Sequence, residues 1–299
     1  MTLVLPKDYH NFEALINQRI KCITIEEALK QDIRALRIAV LNIMPKDEDY
    51  EFNLLYPLGR SIIQIKPIWI RLRTHAYKSS DLKHINNFYM LFDDAIKKYY
   101  IDGLIVTGAP VEDIPFEKVN YWTELKEILE YARSNIANTL GICWGGLAIA
   151  KLLGIEKINY PKKLFGVFAS RNLNRNHPIT GDMDDIFYCP QSRHAGIKDD
   201  QLEEAAKTGK VNLLAYSEKA GYFIFESSDG KFLIHLGHPE YNSSRLIEEY
   251  ERDMKRKMSN VNAPENFDLK NPVNCWRSHR NEFFTQWIKY IYDNTDLTQ

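Results

Sequence analysis

Four apolar or β-rich runs punctuate the first half of the chain. Ala35 to Met44 (ALRIAVLNIM) stops at Pro45, and Ile62 to Leu72 is a second β-rich run. Gly103 to Thr107 (GLIVT) is closed by Gly108-Ala109-Pro110, and Thr139 to Cys143 (TLGIC) is the fourth. Between the last two, Val119 to Arg133 carries Trp122, Leu125, Ile128, Leu129 and Ala132 at helical spacing. Short buried strands joined by helices of this length predict parallel βαβ units. After Lys163 the pattern changes. LFGVF, DIFYCP, VNLLAYS, YFIFES and KFLIHLG follow one another closely with turn residues between them, Asp229-Gly230 included. They predict antiparallel strands that extend the sheet. Ser244 to Met258 and Arg277 to Tyr292 read as late helices, and residues 260–274, rich in Asn and Pro, as an irregular connection. The expected fold class is α/β, a mostly parallel central sheet flanked by helices with an antiparallel extension. The expected organisation is one domain over 1–299, with a core over about 35–258 and a C-terminal helical extension over 259–299.

Composition narrows the function classes. The 39 Lys+Arg and 40 Asp+Glu leave a net charge of −1, which argues against a protein devoted to nucleic acid. With 299 residues, 44% of them hydrophobic, the chain is long enough to bury roughly three quarters of its unfolded surface. Cys22, Cys143, Cys189 and Cys275 form no CxxC pair, so neither a zinc site of familiar spacing nor a disulfide scaffold is expected. The start (MTLVLPKDYHNFEAL) lacks signal-peptide character, and no run approaches the ~18 apolar residues of a membrane span. The expected compartment is the cytoplasm, with no membrane partner. No GxGxxG after a strand, GxxxxGK[ST] or HExxH is present, so no metal, flavin or nucleotide cofactor is expected.

The sharpest local feature is Thr139-Leu-Gly-Ile-Cys143-Trp-Gly-Gly-Leu-Ala148. An apolar strand runs into a cysteine, two glycines and a helix-forming stretch, which is the logic of a nucleophile elbow with sulfur in place of oxygen. The turn pushes the side chain out of the sheet, and Gly145 and Gly146 let backbone pass closely. The helix start offers free N–H groups and partial positive charge to a thiolate or an oxyanion. The plainer reading is a small buried core cysteine.

A second feature is the β-run that ends at Gly237, with His238 and Glu240 two residues apart after it. In an extended segment both point to one face, so the carboxylate can bond one ring nitrogen and leave the other for the thiol. The alternative is an exposed His-Pro turn beside a surface glutamate. His235 reads as a core residue; His10, His75, His84, His177 and His279 suggest no partners and read as surface or structural.

Cys143 in GICWGG, with His238-Pro-Glu240, resembles the class I glutamine amidotransferase-like fold, which is flavodoxin-like. The fuller resemblance, over nearly the whole chain, is to the MetA family of homoserine O-acyltransferases. It rests on LNIMPK (41–46), LRTHAYKSS with NFY (72–80, 87–89), DGLIVTGAP (102–110), YWTELKEILEYA (121–132), ICWGG (142–146), KLFGVF (163–168), PQSRH (190–194) and HPEYNSSRLIEEYERD (238–253). The resemblance implies a ping-pong mechanism. Cys143 takes the acyl group from acyl-CoA, His238 acts as general base toward an amino-acid hydroxyl, and Glu240 orients His238. It implies Lys163 and Ser192 as lining the substrate site, and Arg252 as holding the acceptor's carboxylate, a task that suits a planar guanidinium. The N–H groups of Trp144 and Gly108 are the expected oxyanion donors. CoA enters as co-substrate, and family habit adds a homodimer.

In this family the residue two after the GAP proline goes with donor choice, glycine with succinyl-CoA and glutamate with acetyl-CoA. Here it is Glu112, whose charge and bulk would oppose a succinyl carboxylate. An ordinary exposed loop acid is the alternative. For the acceptor, Tyr50 and Asn53 stand where the family usually shows Thr and Gln around an in-register glutamate, and Gln191 where a histidine is common. A tyrosine adds bulk, so if that loop faces the acceptor the pocket is smaller and would suit serine, one methylene shorter than homoserine, a difference of about 1–3 kcal/mol; the alternative is a repacked loop with no effect on substrate. The expected reaction is acetyl transfer to L-homoserine, with L-serine as the alternative acceptor.

Overall fold

Each of these runs becomes a largely buried strand. In the computed structural model, which describes residues 2–44, 47–77 and 80–298 (backbone only for 47–49), the strands are β1 (Thr2–Leu5), β2 (Cys22–Thr24), β3 (Leu36–Leu41), β4 (Gln64–Arg71), β5 (Tyr89–Leu91), β6 (Gly103–Val106), β7 (Asn138–Ile142), β8 (Ile158–Asn172), β9 (Ile186–Gly196), β10 (Val211–Ser217), β11 (Gly221–Ser227) and β12 (Phe232–His235). Pro45, Lys46, Lys78 and Ser79, which belong to segments quoted for the family resemblance, lie outside the described residues. Among the described residues these strands form one sheet in the order β2-β1-β4-β3-β6-β7-β12-β11-β10-β8-β9, with β5 beside β4.

The sheet changes character at β12. From β2 to β12 every pairing is parallel, and from β12 outward through β11, β10, β8 and β9 every pairing is antiparallel. The expected antiparallel extension is therefore present. β6, β7 and β12 are buried at every residue, which explains their mostly apolar sequences. A helix over Trp122–Asn135 covers the sheet with Trp122, Leu125, Ile128, Leu129 and Ala132 buried, the spacing read from sequence.

The expected core limits are too narrow. β1 pairs with β2 and with β4, so the sheet begins at residue 2 and not near 35. TLVL is only four residues long and carries too little periodicity to separate it from a stray apolar run. At the other end, the helix Arg277–Asn294 buries Phe283, Phe284, Trp287, Ile288 and Ile291. Trp287 Nε1 donates to Asn138 Oδ1 of β7 at 2.8 Å, and Ile291 packs so closely on Gly103 of β6 that a Cβ there would meet it at 2.4 Å. The C-terminal segment is part of the core, and not an appendage to it.

Candidate active site

Parallel strands deliver their C-terminal ends to one edge of the sheet, where open α/β sheets hold ligands. At that edge β7 ends and Cys143 turns into the helix Trp144–Leu152 with φ 51° and ψ −115°. A non-glycine residue in this region is strained, and such strain concentrates at functional turns. The turn is anchored on both sides. Cys143 N donates to His235 O at 2.9 Å, and Leu147 N donates to Cys143 O at 3.0 Å. Gly145 runs against the end of β6, where a Cβ would lie 2.3 Å from Val106 O, so no other residue fits without moving the backbone. Trp144 opens the helix, so its N–H has no carbonyl partner within the helix and stands beside the sulfur.

β12 ends at His235, and the chain continues through Leu236 and Gly237 to His238. Hydrogen bonds from Leu236 N to Phe223 O (2.8 Å) and from His238 N to Pro190 O (2.9 Å) fix this segment. His238 Nδ1 and Glu240 Oε1 are 2.7 Å apart, and the ring of Tyr241 stacks on the imidazole at 4.1 Å and 19°. His238 and the Cys143 thiol are neighbours close enough for each to shift the other's ionisation. Gly108 adjoins both: a Cβ on it would stand 3.5 Å from Cys143 Cβ and 3.8 Å from His238 Cε1. Cys143, His238, Glu240 and Gly108 thus lie together, with Trp144 next to Cys143 along the chain.

The surroundings set the charges. Cys143 is 4% exposed and His238 2%. Burial pushes the thiol above its ordinary value, against the lowering influence of His238. Burial alone would lower the imidazole, but the Glu240 carboxylate and the thiol outweigh it and hold His238 well above the usual histidine range. Water is excluded, so these interactions act in a low effective dielectric. His235 lies behind this pair; burial pushes it down to about 3, so it is neutral.

Glu112 is half-buried, and its Oε1 lies 3.9 Å from Cys143 Sγ. Burial raises its carboxyl above the ordinary value, although the nearby His194 N–H opposes this. It is not the exposed loop acid of the plainer alternative.

Lys163, Ser192 and Arg252 also converge, on a residue the sequence reading passed over. Glu249 is buried, and Ser192 Oγ donates to its Oε2, which also lies 3.3 Å from Lys163 Nζ. Its Oε1 accepts from Tyr241 OH at 2.9 Å and lies 3.6 Å from Arg252 Nη1. Lys163 Nζ is 2.7 Å from Asp253 Oδ2, and Arg252 Nη2 is 2.8 Å from Asp253 Oδ1. Burial alone would raise the Glu249 carboxyl, yet Lys163, Arg252 and Arg245 hold it far below the ordinary range. A sequence signal existed. Leu246, Glu249 and Asp253 sit at i, i+3 and i+7 of the helix Ser243–Lys255, the spacing of an inward face, and two of the three are acids. Buried acids on that face imply cationic partners.

Four of the histidines without a suggested partner do have one: His177 Nε2 lies 3.1 Å from Glu226 Oε2, His279 Nε2 lies 3.2 Å from Asp184 Oδ2, and two meet at Glu51. His84 Nε2 lies 2.8 Å from Glu51 Oε1 and His10 Nε2 lies 3.6 Å from Glu51 Oε2. Tyr89 OH donates to the same buried carboxylate at 2.6 Å, so the cluster already satisfies Glu51 as a structural network.

Comparison with known proteins places the chain in a family. The family described as "HTS: Homoserine O-succinyltransferase" matches residues 2–297. This chain belongs to that family. A homoserine O-acetyltransferase of Geobacillus sp. (strain WCH70) is 40% identical over 99% of this chain and 98% of its own length. The homoserine O-acetyltransferase of Bacillus subtilis (strain 168) is 38% identical over the same shares. Among solved structures, a glutamine amidotransferase from Thermotoga maritima is 14% identical with a TM-score of 0.54, and the match covers 86% of this chain and 99% of that one. It shares the fold, the class I glutamine amidotransferase-like arrangement expected from GICWGG and His238-Pro-Glu240.

Proposed function

We propose that this chain is a homoserine O-acetyltransferase of methionine biosynthesis, moving the acetyl group of acetyl-CoA through Cys143 to the hydroxyl of L-homoserine. The full-length relatives at about 40% identity bear that name. The observation that carries the reading is the Glu112 carboxylate beside the Cys143 sulfur, behind which His238 and Glu240 form a relay. The family description names succinyl transfer, and the two relatives cited above name acetyl transfer. Glu112 favours acetyl, because a succinyl carboxylate beside the sulfur would meet a second acid.

Cys143 sulfur attacks the acetyl carbonyl while its proton passes to His238. The N–H groups of Trp144 and Gly108 receive the oxyanion, and the CoA sulfur leaves with the proton from His238. In the second half His238 takes the proton of the acceptor hydroxyl, whose oxygen bonds the acetyl carbon. The bond from that carbon to Cys143 breaks and the proton returns to the sulfur. Glu240 holds the imidazole in one tautomer and stabilises the imidazolium of each half. Low exposure of Cys143 keeps water from the thioester. Arg252 suits the acceptor's carboxylate, and Glu249, set among Lys163, Ser192 and Arg252, suits its ammonium. The bulk of Tyr50, which had suggested serine, is taken up against Glu240. Acetyl-CoA as co-substrate, a homodimer and a cytoplasmic location complete the proposal, and among the described residues no helix is long and apolar enough to cross a membrane.

The test follows free thiol released from acetyl-CoA with homoserine, serine or glutamine supplied separately. Release with homoserine and its loss in Cys143→Ser are expected. Full activity in Cys143→Ser rules out the covalent route, faster turnover with serine overturns the acceptor, and ammonia from glutamine without CoA overturns the class.

A further inference from the structure

Glu240 reaches His238 through a single oxygen, and that oxygen has a second partner. Oε1 accepts from His238 Nδ1 at 2.7 Å and from Tyr50 OH at 2.8 Å, while Oε2 is buried and has no partner among the described residues. Tyr50 is fully buried and comes from the helix Asp47–Leu58, 190 positions from Glu240. The next residue of that helix, Glu51, is tied to His84 and Tyr89, which fixes the rotation of the helix and the aim of Tyr50.

We propose that Tyr50 is a positioning residue, whose hydroxyl clamps the Glu240 carboxylate and through it sets the orientation and basicity of the His238 imidazole. The inference rests on the acetyl-transfer reading above. A carboxylate held at one oxygen by one bond can swing and present its other oxygen to the imidazole. The phenol removes that freedom, which a shorter side chain at position 50 would not span. It also draws charge from Oε1, so that Glu240 holds the imidazolium less tightly than an unclamped carboxylate would. Losing the hydroxyl therefore raises the basicity of His238 and loosens its aim.

The other groups facing this pair are unaltered by a change at Tyr50. The buried thiols of Cys143 and Cys189, whose ionisation burial opposes, also face it, with neutral His235. Glu112 and Glu249 act on the imidazole from the loop after β6 and from the helix Ser243–Lys255. Arg280 acts on Glu240 from the C-terminal helix, and Tyr241 stacks on the ring.

The test uses the acetyl-enzyme, formed with acetyl-CoA alone and verified by a mass gain of one acetyl group. Its sulfur has no proton, so the pH dependence of its deacylation by homoserine reports His238 without the thiol. In Tyr50→Phe the rise of the rate moves alkaline by roughly half to one pH unit, and the maximal rate falls about tenfold. The affinity for acetyl-CoA is unchanged. Site-specific 3-fluorotyrosine at position 50 keeps the ring, donates more strongly and moves the rise toward acid. It provides the reading should the Phe variant not fold. A profile that stays in place in a folded variant overturns the role of Tyr50 alone. Absence of an acetyl-enzyme in the unaltered protein overturns the acetyl-transfer reading instead.

Discussion

Glu112 Oε1 stands 3.9 Å from Cys143 Sγ, close enough to touch any acyl group carried by that sulfur. Acetyl ends in a methyl and leaves the carboxylate undisturbed, whereas succinyl would bring a second negative charge into a space already closed to water. Removing the acid should therefore change which donor reacts. Glu112→Gly is expected to raise the succinyl-CoA to acetyl-CoA ratio of kcat/KM by about tenfold or more, equivalent to roughly 1.4 kcal/mol or more of relieved repulsion and crowding. Thioester formation followed by mass spectrometry with each donor is the measurement, and an unchanged ratio would refute the role of Glu112.

The second prediction concerns proton transfer. His238 must be neutral to accept the hydroxyl proton, and it is held above its ordinary value of 6.5 despite burial, by Glu240 and the thiol. Activity should therefore climb with pH through a limb above 6.5. In Glu240→Gln the opposing charge is gone and burial dominates, so the limb moves toward acid while the maximal rate falls about a thousandfold, the imidazolium of the transition state having lost its counter-charge. A limb that moves alkaline, or stays, would show that Glu240 does not govern the imidazole.

The elements that build this site were mostly legible in the chain, for a physical reason. β7 and β12 are buried on both faces, so their sequences are mostly apolar, and each ends shortly before a residue of the relay. Gly145 was legible because the close approach to Val106 O tolerates nothing larger. Less could be read where the constraint is long-range. β1 is four residues long and acquires its role only from β4 and β2. Tyr50 looked like bulk in an acceptor loop, since nothing local to it announces a partner 190 positions away. Glu249 was hidden in a charged helix, where a buried acid and a solvated one are spelled alike until the periodicity of the inward face is counted.

Lys163 provides the last prediction, because it lies between two buried carboxylates, 2.7 Å from Asp253 Oδ2 and 3.3 Å from Glu249 Oε2. Lys163→Met keeps much of the side-chain volume and removes the cation, leaving both acids short of a partner. Breaking a buried pair from one side costs about 3–5 kcal/mol at neutral pH, measurable by denaturant unfolding. The pH dependence has a definite sign. Glu249 sits below its ordinary 4.5 in the folded chain, so its stabilising contribution is present above that value and is lost as pH falls. The variant has forfeited part of that contribution, and its deficit against the unaltered protein should narrow as pH drops below about 4.5. If the cluster also holds the acceptor, KM for homoserine rises while formation of the acetyl-thioester proceeds at its former rate. A stability loss with an unchanged KM would confine Lys163 to holding the fold, and a slowed first half-reaction would mean that the cluster serves the donor.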